Sequence, residues 1–151
     1  MKIRKAEIKD ITEIQKLNSL LLKKEKEEYY YKTLDLGWPE TKSGKNYLLK
    51  FINSNKYFMI VAENKTKIIG YLYGKIIKNK PKVADLESFF IIDKYRNKGI
   101  GQKLYSKFEA ECLEEKVKII RLEVSTLNKK GINFYKKQKY IERTKKMEKE
   151  F

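Results

Sequence analysis

Histidine is absent from this 151-residue chain, and cysteine and tryptophan occur once each. Without imidazole there is no Ser–His or Cys–His pair and no histidine-bearing zinc site. Acid–base chemistry therefore falls to Asp, Glu, Tyr, Lys or the single thiol. One cysteine, Cys112, cannot form an internal disulfide and fits a reducing, cytoplasmic compartment. Two prolines and seven glycines leave no Pro/Gly-rich linker, and no repeat or break in composition divides the chain. Residues 1–151 read as one domain. No run approaches the roughly eighteen apolar residues of a membrane span. The first residues alternate charged and apolar side chains, unlike a signal peptide.

Arginine is scarce as well. The chain carries 36 basic against 20 acidic residues, a net charge of +16, yet only four of the basic residues are Arg. Such an excess raises the question of nucleic acid or an anionic surface, but bidentate base and phosphate contacts call for arginine. The lysines are spread through the whole chain instead of gathering in one arm, which is the pattern of solvated faces. Neither nucleic acid nor a membrane is expected as a partner. Hydrophobic residues at 41% and aromatic residues at 13% supply a core and argue against disorder.

Periodicity predicts a short strand over 2–7 and then a helix from Asp10 to about Lys24, with Asp10 and Glu13 spaced as a capping box. The Gly37-Trp38-Pro39 run breaks the pattern, and a second short helix follows over 47–52. Residues 57–63 and 68–77 read as a hairpin, and 83–92 as a long fourth strand. A helix over 102–115, a strand over 119–124 and a short helix over 131–137 come next. Two terminal strands are expected over 140–144 and 146–151. Hairpin strands followed by strand–helix–strand predict an α/β (α+β) fold with a mixed sheet, in which the fourth and fifth strands are parallel.

The segment Arg96-Asn97-Lys98-Gly99-Ile100-Gly101 joins the fourth strand to its helix. Unpaired N–H groups and the positive end of the helix dipole make such a junction a seat for an anion. A Walker loop would need Gly-Lys-Ser/Thr, which is missing. A dinucleotide fingerprint would need a third glycine where Leu104 stands. What remains is Arg-x-x-Gly-x-Gly. About 30 residues on comes Asn128-x-x-Gly131-Ile132-x-Phe134-Tyr135.

These two motifs, in this order and spacing, resemble those of the GNAT superfamily of acetyl-CoA-dependent N-acetyltransferases. The resemblance covers nearly the whole chain. The nearest look-alike is the spermidine/spermine (diamine) branch, on the strength of Leu86-Glu87-Ser88-Phe89-Phe90-Ile91, Tyr95-Arg96 and Ile132-Asn133-Phe134-Tyr135-Lys136. The loop departs from the usual pattern at Asp93 and Asn97, and Lys139-Tyr140 replaces the usual Gly-Phe after the last helix. The resemblance implies a sheet of six to seven strands, splayed between the fourth and fifth, with helices on both faces. It implies acetyl-CoA as co-substrate and no metal. It places Phe89, Phe90, Ile91, Arg96, Asn97, Lys98, Gly99, Ile100, Gly101, Gln102, Asn128 and Tyr135 along the coenzyme. Asn128 reads equally as a partner for the pantetheine amides or as a helix cap.

Acetylation needs a neutral amine. For an amine with pKa ~10.4, reaching that form at pH 7 costs about 4.6 kcal/mol, which a base offsets. Glu87 is the first candidate and Asp85 the second. They sit two apart on one strand and so share a face, while an ion pair with lysine is the competing role for each. Tyr135 is the candidate acid toward the departing thiolate. The N–H near Ile91 is the candidate donor to the thioester oxygen. Cys112 falls on the apolar side of its helix and reads as core, so transfer is expected to be direct. Glu25, Glu28 and Tyr30, with Glu87, form a candidate acidic and aromatic wall for an ammonium substrate. The expected partner is a small-molecule amine; a protein or peptide acceptor, and a basic nucleic-acid-binding or regulatory module on the same scaffold, are the alternatives. A homodimer is left open.

Overall fold

The computed structural model describes residues 1–151. In chain order the elements are β1 (Lys2–Lys5), α1 (Ile11–Tyr29), α2 (Lys42–Asn53), β2 (Tyr57–Asn64), β3 (Lys67–Ile77), β4 (Val83–Ile91), α3 (Ile100–Glu114), β5 (Ile119–Leu122) and α4 (Lys129–Lys137). Single 3-10 turns at Ile8–Asp10, Trp38–Glu40 and Asp93–Tyr95 link some of them. One five-stranded sheet has the order β1-β2-β3-β4-β5. Its first four strands pair antiparallel, and β4 pairs parallel with β5. The parallel crossover through α3 is the predicted one. The two terminal strands are not formed: residues 141–151 carry no regular structure, so the sheet has five strands where six to seven were expected.

Alternation in the central strands buries both faces of the sheet. Ile60, Ala62, Ile69, Leu72 and Leu86 pack with Leu104, Tyr105 and Phe108 of α3. Met59, Val61, Ile68, Tyr71, Tyr73 and Phe90 pack with Ile11, Ile14 and Leu17 of α1 and Leu48 and Phe51 of α2. α1 runs five residues beyond its expected end and stops where Tyr30 turns left-handed (φ 59°). The Asp10–Glu13 capping box is not made. Asp10 instead accepts from the Glu7 N–H and from both terminal nitrogens of Arg4 (2.7 and 2.9 Å). Glu13 accepts from the Ile68 N–H (2.7 Å), tying α1 to β3.

The register between β3 and β4 shifts at one place. Tyr73 faces Ser88 and Gly74 faces Leu86, so Glu87 is the extra residue of a β-bulge. The bulge reverses the alternation along β4. Before it, Ala84 and Leu86 face α3; after it, Phe90 faces α1 and α2. Gly74 lies opposite, where a Cβ would stand 2.1 Å from the Asp85 carbonyl oxygen and 2.4 Å from the Phe58 ring. Gly74→Ala should therefore destabilise the protein by about 1–3 kcal/mol, measured as a lower urea midpoint at unchanged m-value.

Candidate active site

β4 is held differently on its two sides. It pairs with β3 along its whole length, but with β5 only from Val83 to Leu86. From Glu87 onward a gap opens between β4 and β5, at the strands' carboxyl ends. The Ile92 N–H donates to the Ile69 carbonyl of β3 (3.0 Å). By alternation, the Phe90 main chain also points at β3, while those of Phe89 and Ile91 point into the gap. The Phe90 side chain is buried against α1. Phe89 and Ile91 therefore keep their expected orientation toward a ligand, and Phe90 does not.

α3 starts at the far end of this gap. Its first helical bond runs from the Lys103 N–H to the Gly99 carbonyl (3.1 Å). The N–H groups of Ile100, Gly101 and Gln102 thus have no main-chain acceptor. Gly99 turns left-handed (φ 74°) to start the helix, and Asn97 does so at φ 59°. Asn is among the few side chains that accept this conformation. Lys98 and Lys94 lie over the Tyr95 ring, 5.6 and 5.1 Å from its centroid.

Three of the expected coenzyme side chains make contacts within the scaffold. Arg96 turns inward: its Nε donates to the Ile91 carbonyl (2.8 Å), its Nη1 lies 3.0 Å from Asp93, and the guanidinium covers the Phe90 ring. It fastens the loop to the end of β4. Asn128 caps α4 by accepting from the Gly131 N–H (2.9 Å), as one of its two readings expected. The Gln102 side chain pairs with Gln138 (2.7 Å), joining α3 to the end of α4.

α4 brings Phe134 and Tyr135 to the gap. Phe134 packs edge-on against Phe89 and Tyr105, and Gly101 approaches the Phe89, Ile91 and Phe134 side chains. The Tyr135 hydroxyl is neither hydrogen-bonded within the chain nor sealed from solvent. Burial of its ring pushes the phenol up, with Tyr105 adding to the effect. Cys112 is buried on the inner face of α3, where burial raises its thiol to about 12. It belongs to the core.

The two acidic candidates of β4 differ in setting. Asp85 lies within the paired part of the strand and accepts from Arg121 of β5 (2.8 Å). Glu87 is the first residue past that pairing. One of its oxygens accepts from the Tyr47 hydroxyl of α2 (2.6 Å), and the other lies 2.9 Å from Lys75 Nζ on β3. A carboxylate has about four lone-pair sites, so each oxygen retains one. The side chain is 21% exposed and reaches solvent. The bond to Glu87 raises the Lys75 ammonium, and burial followed by that same carboxylate raises the Tyr47 phenol. Nothing in the local sequence marked Tyr47 or Lys75; they meet Glu87 only through the packing of α2 and the register of β3.

Behind Glu87 lies a buried polar cluster. Asn18 of α1 donates to the hydroxyls of Tyr71 (2.9 Å) and Tyr73 (3.2 Å), and Tyr71 also pairs with Ser88 (3.1 Å). Burial pushes the Tyr73 phenol up to about 12, and the charges of both Glu87 and Glu25 add to that rise. Glu25 is itself half-buried, and burial raises its carboxyl. It has no salt-bridge partner. Glu28 by contrast is paired with Lys24 (3.0 Å) on the same helix. Tyr30 is 72% exposed at the end of α1.

The gap thus offers an unpaired strand edge and, at its far end, free N–H groups suited to an anion. Comparison with known proteins agrees. A model of the acetyltransferase (GNAT) family matches residues 19–140. An uncharacterised N-acetyltransferase of Archaeoglobus fulgidus is 28% identical over 116 residues, covering 74% of this chain and 78% of that protein. An N-terminal acetyltransferase complex ARD1 subunit homolog of Dictyostelium discoideum is 27% identical over 112 residues. There the match covers 74% of this chain but only 47% of the relative. Among solved structures, a mutant of the BH1408 protein from Bacillus halodurans superposes with a TM-score of 0.85 at 18% identity, covering 100% of this chain and 99% of that one. An aminoglycoside acetyltransferase from an uncultured soil sample, solved with sisomicin, gives a TM-score of 0.71 at 16% identity over 99% and 94%. The chain thus belongs to the GNAT acetyltransferase family and is an N-acetyltransferase, for which the family implies acetyl-CoA as co-substrate.

Proposed function

We propose that the acceptor is a small primary amine carrying a second ammonium group, a diamine or polyamine, and that Glu87 and Tyr135 are its base and acid. What supports this reading is that Glu87 and Glu25 both add to the rise of the buried Tyr73 phenol, and that Glu25 is half-buried with no salt bridge of its own. A half-buried carboxylate is costly unless a positive group approaches it. In a chain with a net charge of +16, leaving one half-buried carboxylate without a cation favours a cationic guest. The local likeness of Leu86–Ile91 and Ile132–Lys136 to the diamine branch points the same way. A peptide N-terminus is the rival acceptor, suggested by the Dictyostelium relative; it would present one ammonium and engage Glu87 alone.

Acetyl-CoA, when bound, supplies an activated thioester. The residues that would hold it are the N–H groups of Ile100, Gly101 and Gln102 toward the phosphates, with the main chains of Phe89 and Ile91 toward the amides. Glu87 takes the ammonium proton, directly or through a water at its exposed edge, using the lone pairs that Tyr47 and Lys75 leave free. Asp85 is committed to Arg121 and plays no part in the proton transfer. Tyr135 stays protonated because burial disfavours its phenolate, and so holds a proton to give to sulfur.

An amine panel with acetyl-CoA, followed by thiol release, tests the acceptor. Diamines and polyamines should turn over, and turnover of peptides alone would overturn the reading. Glu87→Gln should lower kcat by roughly 10²–10⁴-fold while acetyl-CoA affinity, measured by calorimetry, stays level. Tyr135→Phe should likewise lower kcat more than acetyl-CoA affinity. A phenol of ordinary pKa, about 10, would lose its proton near pH 10. Since burial holds Tyr135 above that value, kcat should show no fall centred near pH 10. Glu25→Gln should raise the KM of a diamine by roughly tenfold, the loss of one charged hydrogen bond of about 1.5 kcal/mol, with kcat retained and monoamine kinetics unaffected.

A further inference from the structure

Glu87 already holds an amine of the chain itself. Lys75 Nζ lies 2.9 Å from one of its oxygens, and no other lysine forms an ion pair with it. A base acts on a proton whose heavy atom it reaches at about 2.6–3.2 Å, or through one water. The Lys75 ammonium meets that condition in the folded chain, before any acceptor arrives.

The course of the side chain brings it there. Tyr71 and Tyr73 of β3 face α1 and α2, and alternation sets Lys75 on the same face. Its Cα lies opposite Asp85 on β4. Yet its ammonium pairs with Glu87, past the bulge, and Asp85 is left to Arg121 (2.8 Å). The side chain therefore leans along the sheet toward the end of β4 at which the gap opens. It is 41% exposed, so packing does not fix its ammonium end. Lys50 provides the contrast. Its ammonium stands over the Tyr47 ring, 5.9 Å from the centroid, and makes no ion pair with Glu87. An amine carried by the chain also loses no translational entropy on reaching the site.

We propose that Lys75 is a self-acetylation site, modified by the acetyl-CoA bound to its own chain when no external amine is present. The ammonium gives one proton to Glu87, which passes it to solvent. Nζ then bonds to the acetyl carbon, and the carbon–sulfur bond breaks. The nitrogen loses its second proton as sulfur gains one. The products are Nζ-acetyl-Lys75, coenzyme A as the free thiol, and one proton. The new amide carries no charge, so the oxygen of Glu87 that Lys75 now occupies is released from its ion pair. The proposal rests on Glu87 as the base and not on which amine is the external acceptor.

The full chain, incubated with acetyl-CoA and no amine, should gain one acetyl group in its intact mass. Fragmentation of its peptides should place that group on Lys75 and leave Lys50 unmodified. Chemical acylation of exposed lysines is separated by kinetics. The rate at Lys75 should level off with rising acetyl-CoA and stay independent of protein concentration. Glu87→Gln should reduce it to the rate of the exposed lysines. A mixture of the Glu87→Gln and Lys75→Arg chains should show no more acetyl-Lys75 than Glu87→Gln alone, because no molecule in it holds both groups. If Glu87→Gln fails to fold, the kinetics of the unaltered chain decide. Modification of Lys75 no faster than of Lys50, a rate linear in acetyl-CoA, an unchanged rate in Glu87→Gln, or modification in the mixture would each overturn the proposal. Turnover of diamines with Lys75 left unmodified removes self-acetylation alone. Acetyl-Lys75 formed by a chain that turns over no diamine removes the diamine reading alone.

Discussion

β4 must pair on both of its edges at its start and on only one at its end, and the geometry of the catalytic gap depends on how it makes that change. The device is a single extra residue. In a strand with a period of two, one inserted residue moves every later side chain to the opposite face. Without the bulge at Glu87, Phe90 would leave the α1 core and Phe89 and Ile91 would leave the α3 side, where Phe134 and Gly101 now meet them. The same insertion sets Glu87 at the mouth of the gap, within reach of Tyr47 and Lys75. One local irregularity thus places Glu87, the proposed base, and turns the wall of the gap. The absence of a side chain at Gly74 lets β3 follow β4 closely through it.

On the proposed reading the two sides of this gap receive opposite charges, and the chain meets each need by a different means. For the phosphates it relies mainly on main-chain donors at the start of α3, with Lys94 and Lys98 nearby over Tyr95. The one arginine of the loop is spent on holding the loop itself, through the Ile91 carbonyl and Asp93. Fixed N–H groups need no reorganisation when an anion arrives, which makes them the better choice for a seat that must be ready in advance. For the proposed amine, a strongly basic protein has to keep lysine away from one spot. Lys24 is drawn to Glu28 and Asp93, and Lys75 to Glu87. That leaves Glu25 free beside the Tyr71–Tyr73–Asn18 cluster.

Much of this was legible in the sequence where the signal is local. The order of strands and helices, the parallel crossover and the loop between β4 and α3 follow from periodicity and from glycine spacing, which act over a few residues. What could not be read depends on partners far along the chain. Asp10 and Glu13 have capping-box spacing, but Arg4 and the Ile68 N–H compete for them and win. Arg96 sits in a phosphate motif, yet the nearest acceptor is the carbonyl at the end of its own strand. Glu87 and Asp85 look equivalent two residues apart. They are separated in setting because pairing with β5, which supplies Arg121, stops between them.

The terminal segment shows the same distinction from the other direction. Two strands were expected after the last helix, but a strand is completed by a partner and not by its own residues, and residues 141–151 make no backbone–backbone hydrogen bond. Seven of those eleven residues are charged, which leaves them little apolar surface to bury against the body. The brief pairing of β5 obeys the same rule. It is joined to β4 through four residues only, Val83 to Leu86, and the gap beside Glu87 begins where that pairing stops.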